Sequence, residues 1–333
     1  MDALETIQLA ANRLAQNQNN LRSFMEAHKK VQMSHSDLES KEIDRLYYNH
    51  ALNKTQLSNA LSVRKNTLND QISRAIDEGI IPPPIKSRVA HFFTRPYIHA
   101  LIKYMGLPTY RNTKKPTCIT VANQKGGIAK STTTITLGVA AALDLSLRAK
   151  VLLIDLDPQG SSGTNLQDFN FISEEESFLT GIDLILGEFE KVSGAESGDE
   201  YREALELYGD KISVALNAAK PTHLPNLHVL PAFPSDERLT DVFGAMNTKQ
   251  KLELFKNFNE IIDGLKEEYD IILIDTPPQD ASYTWLGLDV ANFLLVPIKP
   301  TPFDIASTSN FMGNLNTRIG KLPSKGLNLK IWK

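Results

Sequence analysis

One cysteine in 333 residues, Cys118, removes several classes of protein at once. No intrachain disulfide can form and no cysteine metal cluster can be built. A lone thiol fits a reducing compartment, so a cytoplasmic location is expected. Long apolar runs are missing as well. None approaches the ~20 residues of a membrane span. The N-terminus MDALETIQLAANRLAQ is acidic and amphipathic and has no apolar signal-peptide core. What remains is ordinary globular composition, 41% hydrophobic and 23% charged, which excludes disordered and collagen-like chains. The length is about twice that of one domain, so two domains are expected.

A strong net charge is also lacking, at −3, but the balance is uneven along the chain. Residues 1–115 hold 17 Lys and Arg against 10 Asp and Glu, whereas the remainder holds 19 against 29. Such asymmetry implies different partners for the two parts.

Residues 3–33 read as one helix. Leu4, Ile7, Ala11, Leu14, Gln18, Leu21 and Met25 recur at steps of three and four, a heptad seam with a polar residue inside it. Pairing between chains and packing on the chain's own domain are both open. Residues 1–39 are therefore treated as an N-terminal helical segment with a candidate dimerisation role.

Residues 40–115 form the next unit. From Thr55 the pattern resolves into two short helices. Thr55 is the expected N-cap of the first, with Leu57, Ala60 and Leu61 on its apolar face. Ser62 and Val63 make the turn. The second helix buries Leu68, Ile72, Ala75 and Ile76 and ends at Gly79. Its other face offers Arg64, Lys65, Asn66, Asn69 and Gln71. This is the layout of a helix-turn-helix that presents its second helix to the major groove. A helical hairpin with a solvated polar face is the alternative, and charge favours the former. Residues 54–115 carry 11 Lys and Arg against 3 Asp and Glu, and such a basic surface neutralises duplex phosphates. Arg64, Lys65, Asn66 and Asn69 are the candidate DNA contacts. After Pro82-Pro83-Pro84, residues 85–94 suggest a wing and 97–105 a further helix. Residues 106–116 read as a linker.

From Thr117 short apolar runs alternate with helical stretches. The runs are Cys118–Ala122, Val151–Ile154, Leu227–Leu230, Ile271–Ile274, Phe293–Ile298 and Asn328–Trp332. The helices include 131–147 and 249–266. This predicts an α/β fold for residues 116–333, a doubly wound, mostly parallel sheet covered on both faces. Residues 167–210, with 13 acidic and 2 basic side chains, read as a solvated surface insertion. Cys118 reads as core.

The first run leads through Asn123-Gln-Lys-Gly-Gly-Ile-Ala-Lys-Ser-Thr132 into a helix. A glycine-bearing loop between strand and helix aims backbone N–H groups and the helix dipole at an anion. Lys130 can reach the β- and γ-phosphates, and the Ser131 hydroxyl can bind Mg²⁺. The strict G-x-x-x-x-G-K-[ST] pattern is not met, because Gln124 and Ala129 occupy its glycine positions. A second lysine, Lys125, opens the loop. Two other runs end in carboxylates, Asp155 with Asp157 two residues on, and Asp275. In a doubly wound sheet all three gather at the strands' carboxyl ends, where ligands bind.

KGGIAKST, LIDLDPQGSS, LIDTPP and VPIKPTPFD together resemble the ParA/MinD division of P-loop ATPases, which carry a deviant Walker A motif. With the basic N-terminal part, the chain resembles the large, type Ia ParA partition proteins. The resemblance implies that Lys130 holds phosphate in its own subunit. Lys125 would be the signature lysine, reaching the partner's phosphates across a nucleotide-sandwich homodimer. Ser131 would ligate Mg²⁺, and Asp275 would hold it through water. Asp157 would position the attacking water, with Asp155 in support. Gly126, Gly127, Ile128, Ala129 and Thr132 complete the loop around ATP or ADP.

The resemblance implies a slow, partner-stimulated ATPase that segregates plasmids or chromosomes. It would bind DNA without sequence preference as an ATP dimer, respond to a ParB-type centromere-binding partner, and repress its own operon through the N-terminal unit. Association with the nucleoid and no membrane role follow, with higher assemblies on DNA left open. The alternative is a nucleotide-switched repressor without a motor role. A nitrogenase-reductase role needs cluster cysteines the chain lacks. A MinD-like membrane role needs a terminal amphipathic helix, and the C-terminus shows none. The chain stops at Lys333 inside a strand-like run, so its C-terminal end is expected to be incomplete.

Overall fold

The computed structural model describes residues 50–86, 90–160, 179–189, 198–278 and 282–324, together with positions 12, 13, 16 and 166. The heptad seam of residues 3–33 and the strand expected at 328–332 lie outside the described residues. Asn12, Arg13 and Gln16 are helical and exposed.

The chain divides into two compact units, Met1–Met105 and Gly106–Lys333. The boundary thus falls ahead of the expected linker, for a physical reason. Tyr110 is buried in the same apolar cluster as Ala142, Val151 and Leu153. Arg111 Nε donates to Asp270 Oδ1 at 2.7 Å, and Arg148 Nη1 donates to Pro108 O at 2.8 Å. These contacts tie residues 106–115 to the second unit.

In the first unit, strand β1 (Leu52–Asn53) leads into helix α1 (Lys54–Leu61). Asn53, rather than Thr55, is the N-cap: its side chain accepts from Gln56 N at 2.9 Å, and Gln56 Oε1 accepts from Asn53 N at 2.9 Å. This reciprocal pair satisfies two otherwise orphaned donors. Ser62 turns the chain at φ 55°, the left-handed region that commonly closes a helix. Helix α2 (Lys65–Asp77) follows, burying Leu68, Ile72 and Ala75. Strands β2 (Ile85–Lys86) and β3 (His91–Phe93) pair antiparallel, and β1 pairs with β3, giving the sheet order β1-β3-β2. Helix α3 (Arg95–Tyr104) closes the unit over Phe93, Ile98 and Leu101, all fully buried. Two helices joined by a tight turn are thus accompanied by a small antiparallel sheet.

The second unit holds a six-stranded sheet in the order β6-β7-β5-β8-β4-β9. Its strands are β4 (Thr117–Val121), β5 (Val151–Asp155), β6 (Lys220–Pro221), β7 (Leu227–Leu230), β8 (Ile271–Asp275) and β9 (Phe293–Leu295). All neighbours are parallel except β6 with β7. Period-two alternation explains the double covering. Leu152 and Ile154 enter one apolar cluster, whereas Val151 and Leu153 enter the other. Helix α4 (Lys130–Leu143) supplies Ala142 to the second cluster. The first cluster draws on α5 (Gly181–Leu186), α6 (Gly198–Tyr208), α7 (Lys211–Ala218), α8 (Arg238–Ala245), α9 (Thr248–Glu268), α10 (Ser282–Val290) and α11 (Pro302–Ile319).

Helix α5 corrects one expectation. The 167–210 stretch was read as a solvated insertion, yet every residue of Gly181–Leu186 is buried. Its acidic content misled the reading, because Ile182, Leu184, Ile185 and Leu186 form a compact apolar helix within it. Thr180 caps that helix, accepting from Ile182 N and Asp183 N at 3.2 Å.

Candidate functional site

The site is built at the carboxyl ends of three adjacent strands. Asp275, at the end of β8, pairs in register with Val121 of β4 on one side and Asp155 of β5 on the other. The loop after β4 and the two acidic strand ends therefore meet at one edge of the sheet. Asp155 and Asp275 are fully buried, and Asp157 is 7% exposed.

The loop runs from Asn123 to Ala129, and α4 begins at Lys130. Gly127 and Ala129 stand at φ 68° and φ 67°. Left-handed residues of this kind fold successive backbone N–H groups into an anion-binding concavity. Ile128 between them is 3% exposed and pins the loop to the core. Gly126, Gly127, Ala129 and Thr132 are exposed, and Ser131 is half-buried.

Lys130 is 6% exposed, and its Nζ donates to Lys125 O at 3.2 Å. Burial lowers its pKa, while the charges of Asp275 and Asp157 act the other way. A buried ammonium at a helix N-terminus, in a glycine-bearing loop, suits an anion. Polyphosphate fits this donor set. The acidic strand ends and the Ser131 hydroxyl provide the oxygen ligands that Mg²⁺ takes.

The carboxylates are held by local bonds. Asp155 Oδ1 accepts from Asp157 N at 3.0 Å, and Asp157 Oδ1 accepts from Gln159 N at 3.0 Å. Thr134, one turn into α4, donates to Asp275 Oδ1 at 3.3 Å. Gly160 sits at φ 64°, and a Cβ there would lie 2.6 Å from Ala232 O, so only glycine lets the chain leave Asp157 along this path.

The Lys125 side chain meets the segment after β9. Its Nζ lies 3.9 Å from Asp304 Oδ1 and 5.8 Å from the centre of the Phe303 ring. Three further links join the loop to the segment after β9. Asn123 Nδ2 donates to Pro297 O at 3.0 Å and to Thr308 Oγ1 at 2.9 Å, and Lys299 Nζ donates to Gly127 O. Sequence reasoning assigned no role to Asn123, Thr134, Lys299, Phe303 or Asp304. The VPIKPTPFD run carried three of them. Their contacts with the loop span more than 170 residues for Asn123 and Lys299, beyond any local pattern.

In the first unit Arg64, Lys65, Asn66 and Asn69 are all exposed, at the start of α2 and along its outer face. Gln71 is half-buried. Among the described residues no group of His, Cys, Asp or Glu forms a metal cluster, and no helix is long and apolar enough to cross a membrane.

Comparison with known proteins places residues 116–327 in a match to the AAA_31 family model, an AAA domain. Plasmid partition protein A of Escherichia coli is 23% identical over 307 residues, covering 89% of this chain and 70% of its own. Chromosome partitioning protein ParA of Caulobacter vibrioides is 28% identical over 210 residues, covering 60% of this chain and 65% of its own. Coverage falls further for a Rhizobium rhizogenes relative, 28% identical over 250 residues, of which this chain spans 54%. A solved partition protein has the same fold, with a TM-score of 0.58 at 20% identity, covering 97% of this chain and 78% of that one.

Proposed function

From the membership of this chain in the AAA domain family, within its ParA/MinD P-loop division, we propose that it is a DNA partition ATPase serving a plasmid or chromosome. One observation carries the reading: the buried Lys130, in a loop with two left-handed residues, feels the carboxylates of Asp275 and Asp157.

In this reading Lys130 and the backbone of Gly126–Ala129 bind the β- and γ-phosphates of ATP. Ser131 would ligate Mg²⁺ and Asp275 would hold it through water, with Asp155 in support. When bound, Mg²⁺ would supply positive charge against the phosphate oxygens. Asp157 orients the attacking water. In the described chain the Lys125 ammonium rests against Asp304 and Phe303. In a homodimer it would reach the partner's phosphates, as an arginine finger does, and so couple assembly to ATP. Thr132 and Ile128 complete the loop.

The ATP dimer would coat DNA without sequence preference, and a ParB-type centromere-binding protein would stimulate a slow hydrolysis that releases it. Arg64, Lys65, Asn66 and Asn69 would read an operator in the major groove and repress the chain's own operon. A nucleoid-associated, cytoplasmic protein follows.

Hydrolysis assays with and without duplex DNA and a centromere-binding protein test the motor role. Stimulation by both is expected. No stimulation by either would leave a nucleotide-switched repressor. Lys130→Ala should abolish ATP binding in a fluorescent-nucleotide titration, because the phosphates lose a buried cation. Unchanged affinity would refute the site.

A further inference from the structure

The peptide between Gly127 and Ile128 forms the middle of the phosphate loop. Its two sides are held differently. The Ile128 side chain is buried, at 3% exposure. Gly127 stands at φ 68°, and a Cβ there would meet nothing within 4 Å. Packing therefore does not hold the loop on that side. A cation from outside the loop does: Lys299 Nζ donates to Gly127 O. Among the described residues no carboxylate pairs with Lys299, which is exposed.

The segment that carries Lys299 is itself fixed to the start of the loop. Asn123 Nδ2 donates to Pro297 O and to Thr308 Oγ1, while Asn123 Oδ1 accepts from Lys125 N at 3.2 Å. Thr301 N donates to Lys299 O at 2.8 Å, and Thr301 Oγ1 accepts from Asp304 N at the start of α11. Lys299 thus projects from a short stretch anchored on both sides. In a planar trans peptide the C=O and N–H point in opposite directions. A cation on Gly127 O turns the Ile128 N–H to the opposite side, and the bond polarises it.

The geometry points to Lys299 as a positioning residue: its ammonium fixes the Gly127–Ile128 peptide with the Ile128 N–H turned into the phosphate cradle. This role rests on the nucleotide-site reading of the loop. Phosphate oxygens are repelled by carbonyl oxygens, so a cation seated on a loop carbonyl stands behind the cradle rather than in it. Lys130, buried at the start of α4, is the cation that meets the anion directly. Lys299 acts through the backbone. A loop already held in its binding conformation loses less freedom when the ligand arrives, and affinity rises accordingly. Both ATP and ADP benefit, because the backbone N–H groups of such a loop cradle the α- and β-phosphates that the two nucleotides share.

The test uses the full chain and two readouts. The first needs no nucleotide. In Lys299→Met the amide nitrogen of Ile128, followed by NMR, should shift upfield, because the bond that polarised its peptide is gone. The second is titration with fluorescent ATP and ADP. Lys299→Met should weaken both by the same factor, about tenfold. Lys299→Arg should bind within about twofold of the unaltered chain, since a guanidinium also donates to a carbonyl. An unmoved Ile128 amide, or an arginine variant as weak as the methionine variant, would overturn the proposal. A loss for ATP alone would also overturn it, by making Lys299 a direct contact to the γ-phosphate. Lys130→Ala separates this role from the site itself. If Lys130→Ala binds ATP as the unaltered chain does, the phosphate site falls and Lys299 with it. If Lys130→Ala loses ATP while Lys299→Met keeps full affinity, the site stands and only the role of Lys299 is refuted.

Discussion

Ala129 holds the residue scale of the problem. It stands at φ 67°, immediately before the buried lysine, where a Cβ crowds the following carbonyl. That conformation costs about 1 kcal/mol for a side-chain-bearing residue. Strained backbone at a ligand loop persists when its surroundings enforce it. Here Ile128, 3% exposed, and the bond from Lys130 Nζ to Lys125 O hold the loop on either side. Ala129→Gly should therefore stabilise the chain. The net gain should be small, up to about 0.6 kcal/mol, because the extra entropy of an unfolded glycine cancels about 0.4–1 kcal/mol of the relieved strain. A urea midpoint measures it, and a lower midpoint would show that the loop is relaxed with alanine. The sequence revealed that a glycine was missing there. It could not show whether the chain turned elsewhere or accepted the strain, because backbone dihedrals are set by what the loop packs against.

Two contacts between elements carry predictions of opposite character. Gly264 lies inside α9, where alanine would ordinarily gain about 1 kcal/mol of helix propensity. A Cβ at this position would sit 2.4 Å from Ile212 Cδ1 on α7. Overpacking should win, so Gly264→Ala should lose about 1–2 kcal/mol in thermal or urea unfolding. Adding Ile212→Ala should recover much of that loss, and additive losses would place the clash elsewhere. The second contact is electrostatic. Arg238 bridges Asp183 of α5 and Asp236 of the turn after β7, while Thr180 Oγ1 donates to Asp236 Oδ1 at 2.9 Å and Tyr283 OH donates to Asp236 O at 2.8 Å. Burial outweighs the attraction of Arg238 and pushes Asp183 from 3.8 up to about 6. The folded chain then holds this proton more tightly than the unfolded chain. Its contribution to stability is greatest below pH 4 and falls as pH rises to about 6. Asp183→Asn should remove that falling segment from the stability profile. Comparing the two proteins isolates the group from Asp144, Asp210 and Glu260, whose lowered pKa values act in the opposite sense. An identical pH profile in Asp183→Asn would refute the assignment. Such elements mark the limit of legibility. The five strands β4, β5, β7, β8 and β9 and the two short helices followed from local apolar spacing. Helix α5, hidden in an acidic stretch, and the tie of Tyr110 to the second unit depend on partners far along the chain.

For the whole molecule, a net charge of −3 joins a basic first part to an acidic second part. The motifs of the phosphate loop were legible because one strand, one turn and one helix carry them. The clasp by Lys299 and Asp304 was not, since it closes only when β9 pairs with β4. The division of charge makes a further claim on function. If the first unit binds duplex DNA through phosphates, log affinity should fall linearly with log salt, by about 0.9 for each phosphate neutralised. Arg64→Ala with Lys65→Ala, both exposed at the start of α2, should reduce that slope by about 2 if each side chain meets one phosphate. The measurement is made on the full chain with operator and random duplexes, in the absence of nucleotide, with ADP and with ATP. Operator binding without ATP should show that reduced slope in the double variant. Random-duplex binding should appear with ATP and vanish in Lys130→Ala, while the operator slope of Lys130→Ala stays as it was. A salt slope unaffected by the double variant would remove α2 as the reading helix. Random-duplex binding that ignores both ATP and Lys130 would separate DNA binding from the nucleotide site.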